Sequence, residues 1–294
     1  MTKIILARPT GMCFGVKRAI QSMERALKSE GTVYAIGSPI HNPQEIRRLE
    51  AMGLKVVRSV EDLPGHSVAF IRAHGEEPSV YQALKEKNIK IIDGTCPFVR
   101  MAQKRAKELS DAGYQLLILG DRQHPEVKGI LGYVSGKAVV IPTLSSLFSS
   151  TILKNSARIH KLGLVSQTTQ EEQFLAEAAK AAAGMADELR IYNTICHATI
   201  ERQQSVARLA AQADGMIIVG GHDSANTERL YRIAEGSGRG VLWIEEAGQL
   251  DRRWVLERST IGIAAGASTP DWIIKDLIIA INTIAGRQGD VSYE

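Results

Sequence analysis

Residues 94–129, GTCPFVRMAQKRAKELSDAGYQLLILGDRQHPEVKG, hold the pattern that decides the fold. Cys96 opens a run whose apolar residues recur every three and four positions, the period of a helix. Gly113 stops that helix, as C-terminal glycines do. An apolar β-type run, YQLLIL, then leaves at Gly120 into a polar loop with His124 and Glu126, and a second helix follows. The same order of parts occurs around Cys13 and Cys196. Counting from each cysteine, 24 residues lead to Gly37, Gly120 and Gly220; 28 lead to His41, His124 and Ser224; 30 lead to Pro43, Glu126 and Asn226. In the last two copies, 72 residues lead to Thr168 and Ser268, while the shorter first copy reaches His74 after 61.

Each copy continues with a second strand (LKVVRS, AVVIP, GVLWIE) and a third that ends in a polar cluster (SVAFIRAHG, HKLGLVSQTT, STIGIAAGAST). Strands alternating with helices predict mostly parallel sheets flanked by helices. The expected architecture is α/β, with three pseudo-equivalent domains at 1–95, 96–195 and 196–294, the last with a C-terminal helix, in pseudo-three-fold symmetry around one site. Ligands of such sheets bind beyond the carboxyl ends of the strands, where all these polar loops fall.

Composition bounds the function. A chain of 294 residues, 44% hydrophobic and 23% charged, is globular rather than disordered. A net charge of +4 without a basic tract argues against nucleic acid. WIIKDLIIAINTIAG is interrupted by Lys275 and Asp276 and falls short of the ~20 apolar residues of a membrane span, so it reads as a docked helix. Three widely spaced cysteines form no secreted disulfide framework, and the expected location is the cytoplasm.

One cysteine would ordinarily be a small buried hydrophobe. Three at equivalent positions before helices indicate a shared metal site, because a helix N-terminus favours thiolate, the metal-binding form. A closed zinc site wants a fourth ligand, and a cubane iron–sulfur cluster normally takes four cysteines. Three thiolates therefore suit a cluster with one open iron, or a zinc ion with an exchangeable water. His41, His74 and His124 lie in the repeated loops, unlike His66, His160, His197 and His222. With Ser224, Asn226, Thr168 and Ser268 they make a set of short donors suited to a phosphate or diphosphate. Glu126 is the one carboxylate at its repeat position, placed either to deliver protons or to cap the helix beside it. No nucleotide motif is complete, so reducing electrons would come from outside, singly.

In order along the chain, GMCFGVKRAI, the HN of SPIHNP, AHG, TCP, GDRQHPEV, SQTT, ICHAT, DSANT and AGASTP resemble the 4-hydroxy-3-methylbut-2-enyl diphosphate reductase family, from Cys13 to Pro270. The resemblance implies one 4Fe–4S cluster on Cys13, Cys96 and Cys196 with one open iron. It implies that His41, His74, His124, Ser224, Asn226 and Ser268 hold the diphosphate of a small allylic substrate. It places Glu126 and Thr168, beside His124, in the proton-delivery network, with a ferredoxin or flavodoxin as one-electron donor. The implied reaction removes the allylic hydroxyl to give isopentenyl and dimethylallyl diphosphate, the last step of the non-mevalonate pathway.

Four residues depart from the family pattern. Ala225 stands between Ser224 and Asn226 where a serine or glycine is common, so a side-chain donor to the diphosphate is lost there and the backbone amide is left to donate. Glu76 and Glu77 add negative charge soon after His74. Gly94 replaces a usual alanine, which reads as a minor change. The alternatives are a paralogue with the same cluster and another substrate, or an iron–sulfur sensor without turnover.

Overall fold

A computed structural model describes residues 2–149, 158–286 and 291–294. Thirteen strands among them form three sheets, and every strand pair is parallel. The first sheet has the order β3 (Leu54–Val57), β2 (Val33–Ile36), β4 (Val68–Ile71), β5 (Lys90–Asp93). The second repeats it as β7 (Ala138–Ile141), β6 (Gln115–Leu119), β8 (Ile159–Ser166), β9 (Ala186–Ile191). The third runs β11 (Gly240–Ile244), β10 (Gly215–Val219), β12 (Thr260–Ala265), then β1 (Lys3–Leu6) and β13 (Val291–Tyr293).

The chain's first strand is thus a difference from the expected organisation. Strand β1 pairs with β12 in the third sheet, not with the strands of residues 33–93 that follow it. The reason is positional. β5 and β9 lead into Cys96 and Cys196 from the outer side of β4 and β8, and β1 leads into Cys13 from the outer side of β12. All three cysteine-bearing loops therefore leave the same strand position in a sheet.

Two compact units result, Met1–Lys17, Ile40–Leu49 and His197–Glu294 in one, and Arg18–Pro39 with Glu50–Cys196 in the other. In the first, alternate residues of each strand feed opposite faces of the third sheet, as the two-residue period of a strand requires. Ile4, Leu6, Ile217 and Ile263 pack on Ile273, Ile274, Leu277 and Ile281 of the helix Asp271–Ala285. Ile5, Met216 and Ile218 pack on Val206, Leu209 and Leu230 from the helices His197–Gln212 and Ala225–Glu235. The greasy C-terminal segment is accordingly a docked helix, and no helix among the described residues is long and apolar enough to cross a membrane.

In the second unit, Leu116, Ile118 and Val165 of the second sheet bury against Ala102, Ala106 and Leu109 of the helix Pro97–Asp111 and Val127 and Ile130 of the helix Pro125–Gly132. Ala69 and Ile71 of the first sheet pack with Leu84 and Ile89. Both faces of a parallel sheet need such cover, which leaves the carboxyl ends of the strands for polar loops.

Candidate active site

The three cysteines are thiols, each half-buried, and each stands at the start of a helix: Phe14–Glu30, Pro97–Asp111 and His197–Gln212. Their backbones are held alike. The Cys13 amide donates to Ala267 O at 3.0 Å, the Cys96 amide to Ala73 O at 2.9 Å, and the Cys196 amide to Thr168 O at 2.9 Å. Each acceptor lies in the loop that leaves the neighbouring strand, β12, β4 or β8. Cys96 is the N-cap of its helix, with extended backbone. The Val16 amide donates to Cys13 Sγ at 3.5 Å, as helix N-terminal N–H groups do toward a thiolate. Soft sulfur donors in these settings fit an iron–sulfur cluster.

Glu126 is the most consequential side chain of the second unit. It is 1% exposed, in the first turn of the helix Pro125–Gly132. The cap of that helix is His124, whose Nδ1 accepts the Glu126 amide at 3.2 Å, so Glu126 itself does not cap it. Its carboxylate instead accepts the Thr168 amide at 2.6 Å and the Thr168 hydroxyl at 2.8 Å. Burial pushes its pKa up to about 7 against the opposing pull of those two bonds. A carboxyl poised there exchanges protons near neutrality. The loop after β4 meets the same place: the His74 and His124 rings lie edge to face, 5.2 Å apart at 83°.

In the other unit, loops after β10 and β12 meet the segment 41–42. His41 Nδ1 lies 2.9 Å from Asp223 Oδ2, and the Ser268 hydroxyl donates to His41 O at 3.0 Å. His41 holds the Asp223 carboxyl below its usual range. Gly221 is required here, because a Cβ would lie 2.7 Å from His41 O. Ser224 caps the helix Ala225–Glu235 by accepting the Thr227 amide at 3.3 Å, and Asn42 Oδ1 accepts the Glu45 amide at 2.8 Å. Asn226 is 6% exposed, yet neither polar atom of its side chain has a hydrogen-bond partner among the described residues. A buried amide left so is costly unless a ligand engages it. Ala225 offers no hydroxyl, although its N–H belongs to the helix's first turn, where amides lack intrahelical partners.

Sequence reasoning missed Asp223. It was visible in the DSANTE loop, but the repeat singled out Ser224 and Asn226, and nothing local shows a partner 182 residues away.

The model of the LytB protein family matches residues 4–282. The chain belongs to the LytB family. Among similar LytB relatives, the 4-hydroxy-3-methylbut-2-enyl diphosphate reductase of Aquifex aeolicus is 42% identical over 292 residues, 98% of this chain and 99% of its own. That of Campylobacter hominis is 41% identical over 283 residues, 96% and 99% of the two chains. A solved structure of (E)-4-hydroxy-3-methyl-but-2-enyl diphosphate reductase, the terminal enzyme of the non-mevalonate pathway, is 40% identical, with TM-score 0.70 over 96% of this chain and 100% of the other. The E-1-hydroxy-2-methyl-but-2-enyl-4-diphosphate reductase of Plasmodium falciparum shares the fold at 23% identity, TM-score 0.90, over 99% of this chain and 91% of the other.

Two departures from the LytB pattern have local explanations. Glu76 is half-buried and paired with Arg72 at 2.9 Å; burial raises its pKa and Arg72 opposes that rise, so its charge is answered on the spot. Gly94, expected to be a minor change, is not minor. A Cβ there would run into the buried Phe70 ring and lie 2.6 Å from Ile71 O, so the glycine and the phenylalanine go together.

Proposed function

We propose that the chain is a 4-hydroxy-3-methylbut-2-enyl diphosphate reductase, an oxidoreductase of the non-mevalonate isoprenoid pathway in the cytoplasm. The observation that carries this is Glu126: a buried carboxyl with a pKa near neutrality, bonded to Thr168, in a chain whose full-length relatives bear that name.

Cys13, Cys96 and Cys196 are the ligands of one 4Fe–4S cluster. When bound, such a cluster with an iron lacking a protein thiolate supplies Lewis-acid and one-electron chemistry at the substrate's allylic oxygen. His41, His74, His124, Ser224, Asn226 and Ser268, with the Ala225 amide, bind the diphosphate, which fixes the reactive end by holding the far end. Asp223 orients the His41 ring through Nδ1. Glu126 supplies a proton and Thr168 positions its carboxyl, since hydroxide leaves readily only when protonated. Two electrons and two protons convert the allylic alcohol to an alkene and water. The electrons come singly from a ferredoxin- or flavodoxin-type donor.

The reading is tested by mass analysis of the products of anaerobic turnover with reduced viologen and 4-hydroxy-3-methylbut-2-enyl diphosphate. Isopentenyl and dimethylallyl diphosphate are expected. Unchanged substrate with a verified cluster would refute the substrate assignment, and a chain that takes up zinc but no iron and sulfide would refute the cofactor.

A further inference from the structure

The loops that present Cys96 and Cys196 are fastened by the same side-chain clasp. Three residues before each cysteine stands a short side chain with a carbonyl-type oxygen, Asp93 or Asn193. Asp93 Oδ1 accepts the Thr95 amide at 2.8 Å, and Asn193 Oδ1 accepts the Ile195 amide at 3.1 Å. In both cases the donor is the residue directly before the cysteine. The next amide, that of the cysteine itself, is fixed to the loop of the neighbouring strand. Two consecutive amides are thus satisfied, and the peptide carrying the thiol has one orientation before any ligand arrives.

The clasp before Cys96 is reinforced. Asp93 Oδ2 pairs with Arg100 at 2.9 Å, from the helix that Cys96 opens, and accepts from Tyr81 at 3.4 Å, whose hydroxyl also reaches Thr95 Oγ1 at 3.3 Å. The Arg18 guanidinium donates to Thr95 O at 3.3 Å. The clasp before Cys196 has its own support: the Thr194 hydroxyl donates to Ser166 O at 2.6 Å and accepts the Ser166 amide at 2.8 Å. The first repeat is built differently. Its matching residue is Thr10, whose buried Oγ1 has no partner among the described residues. The turn there depends on Gly11, at φ +75°, lying against Asp271.

We infer that Asp93 and Asn193 are positioning residues, which preform the Cys96 and Cys196 loops for the cluster by accepting the amide before each thiol. This rests on the cluster assignment above. Preorganisation by a supporting hydrogen bond keeps a ligand in place when its metal momentarily detaches. The acceptor oxygen is the working part, so asparagine serves as well as aspartate.

The test uses the full chain, reconstituted anaerobically, as wild type, Asp93→Ala, Asp93→Asn and Asn193→Ala. Iron and sulfide content, the electron paramagnetic resonance spectrum of the reduced cluster, and the rate of iron capture by a chelator are read. Asp93→Ala and Asn193→Ala are expected to release iron about fivefold faster or more and to alter the spectrum, with Asp93→Asn within about twofold of wild type. Should Asp93→Ala fail to fold, Asn193→Ala decides alone. Alanine variants matching wild type in both release and spectrum overturn the inference. A folded Asp93→Asn as leaky as Asp93→Ala overturns it too, since charge would then be the cause. Wild type without iron and sulfide overturns the cluster assignment first, and the inference with it.

Discussion

Replacing Glu126 by glutamine should make the protein more stable above neutral pH, and the size of the gain follows from its burial. The folded chain holds the Glu126 proton to about pH 7, whereas the ordinary value is 4.5. The folded-state pKa is raised, so the stabilisation is fully present below pH 4.5 and is lost as pH rises through 7. At 1.36 kcal/mol per pH unit, the loss between pH 5 and pH 8 is roughly 2–3 kcal/mol. Glutamine keeps the shape: its oxygen can accept the Thr168 amide and its amide can donate to the Thr168 hydroxyl. The stability difference, glutamine variant minus wild type, should therefore grow by roughly 2–3 kcal/mol between pH 5 and pH 8 in anaerobic urea unfolding of the cluster-free chain. A difference that stays the same across that range would mean that the buried carboxylate carries no penalty.

Gly94→Ala should cost about 1–3 kcal/mol by overpacking, and Phe70→Leu in the same chain should recover part of it; thermal unfolding of the single and double variants checks the coupling. Ser224→Ala should destabilise by about 1 kcal/mol through loss of the helix cap, measured by urea unfolding. Asp223→Ala should raise KM for the diphosphate about fivefold while changing kcat less, because it frees the His41 ring without touching the reacting atoms; steady-state kinetics separate the two.

What the sequence made legible was local or repeated. The cysteines, the glycines after β2, β6 and β10, and the loop residues recur at fixed spacing, and strand and helix periods can be read within a dozen residues. The pairing of β1 was not legible, because which strand a short apolar run joins depends on edges more than 250 residues away, such as Lys3 opposite Thr260. Ile4 and Ile5 would suit any buried sheet. Glu126 looked equally like a cap and an acid; only its burial and the bonds to Thr168 separate the two. Gly94 looked harmless because the ring that forbids a Cβ there comes from β4.

Under the proposed function, buried Glu126 delivers the proton in reductive loss of the allylic hydroxyl. The most direct test compares wild type and Glu126→Gln, both with verified clusters, for substrate-dependent oxidation of reduced viologen at neutral pH. Wild type should turn over, with a loss of about a hundredfold or more in the variant while it still binds the diphosphate. Equal rates in the two proteins would contradict that role.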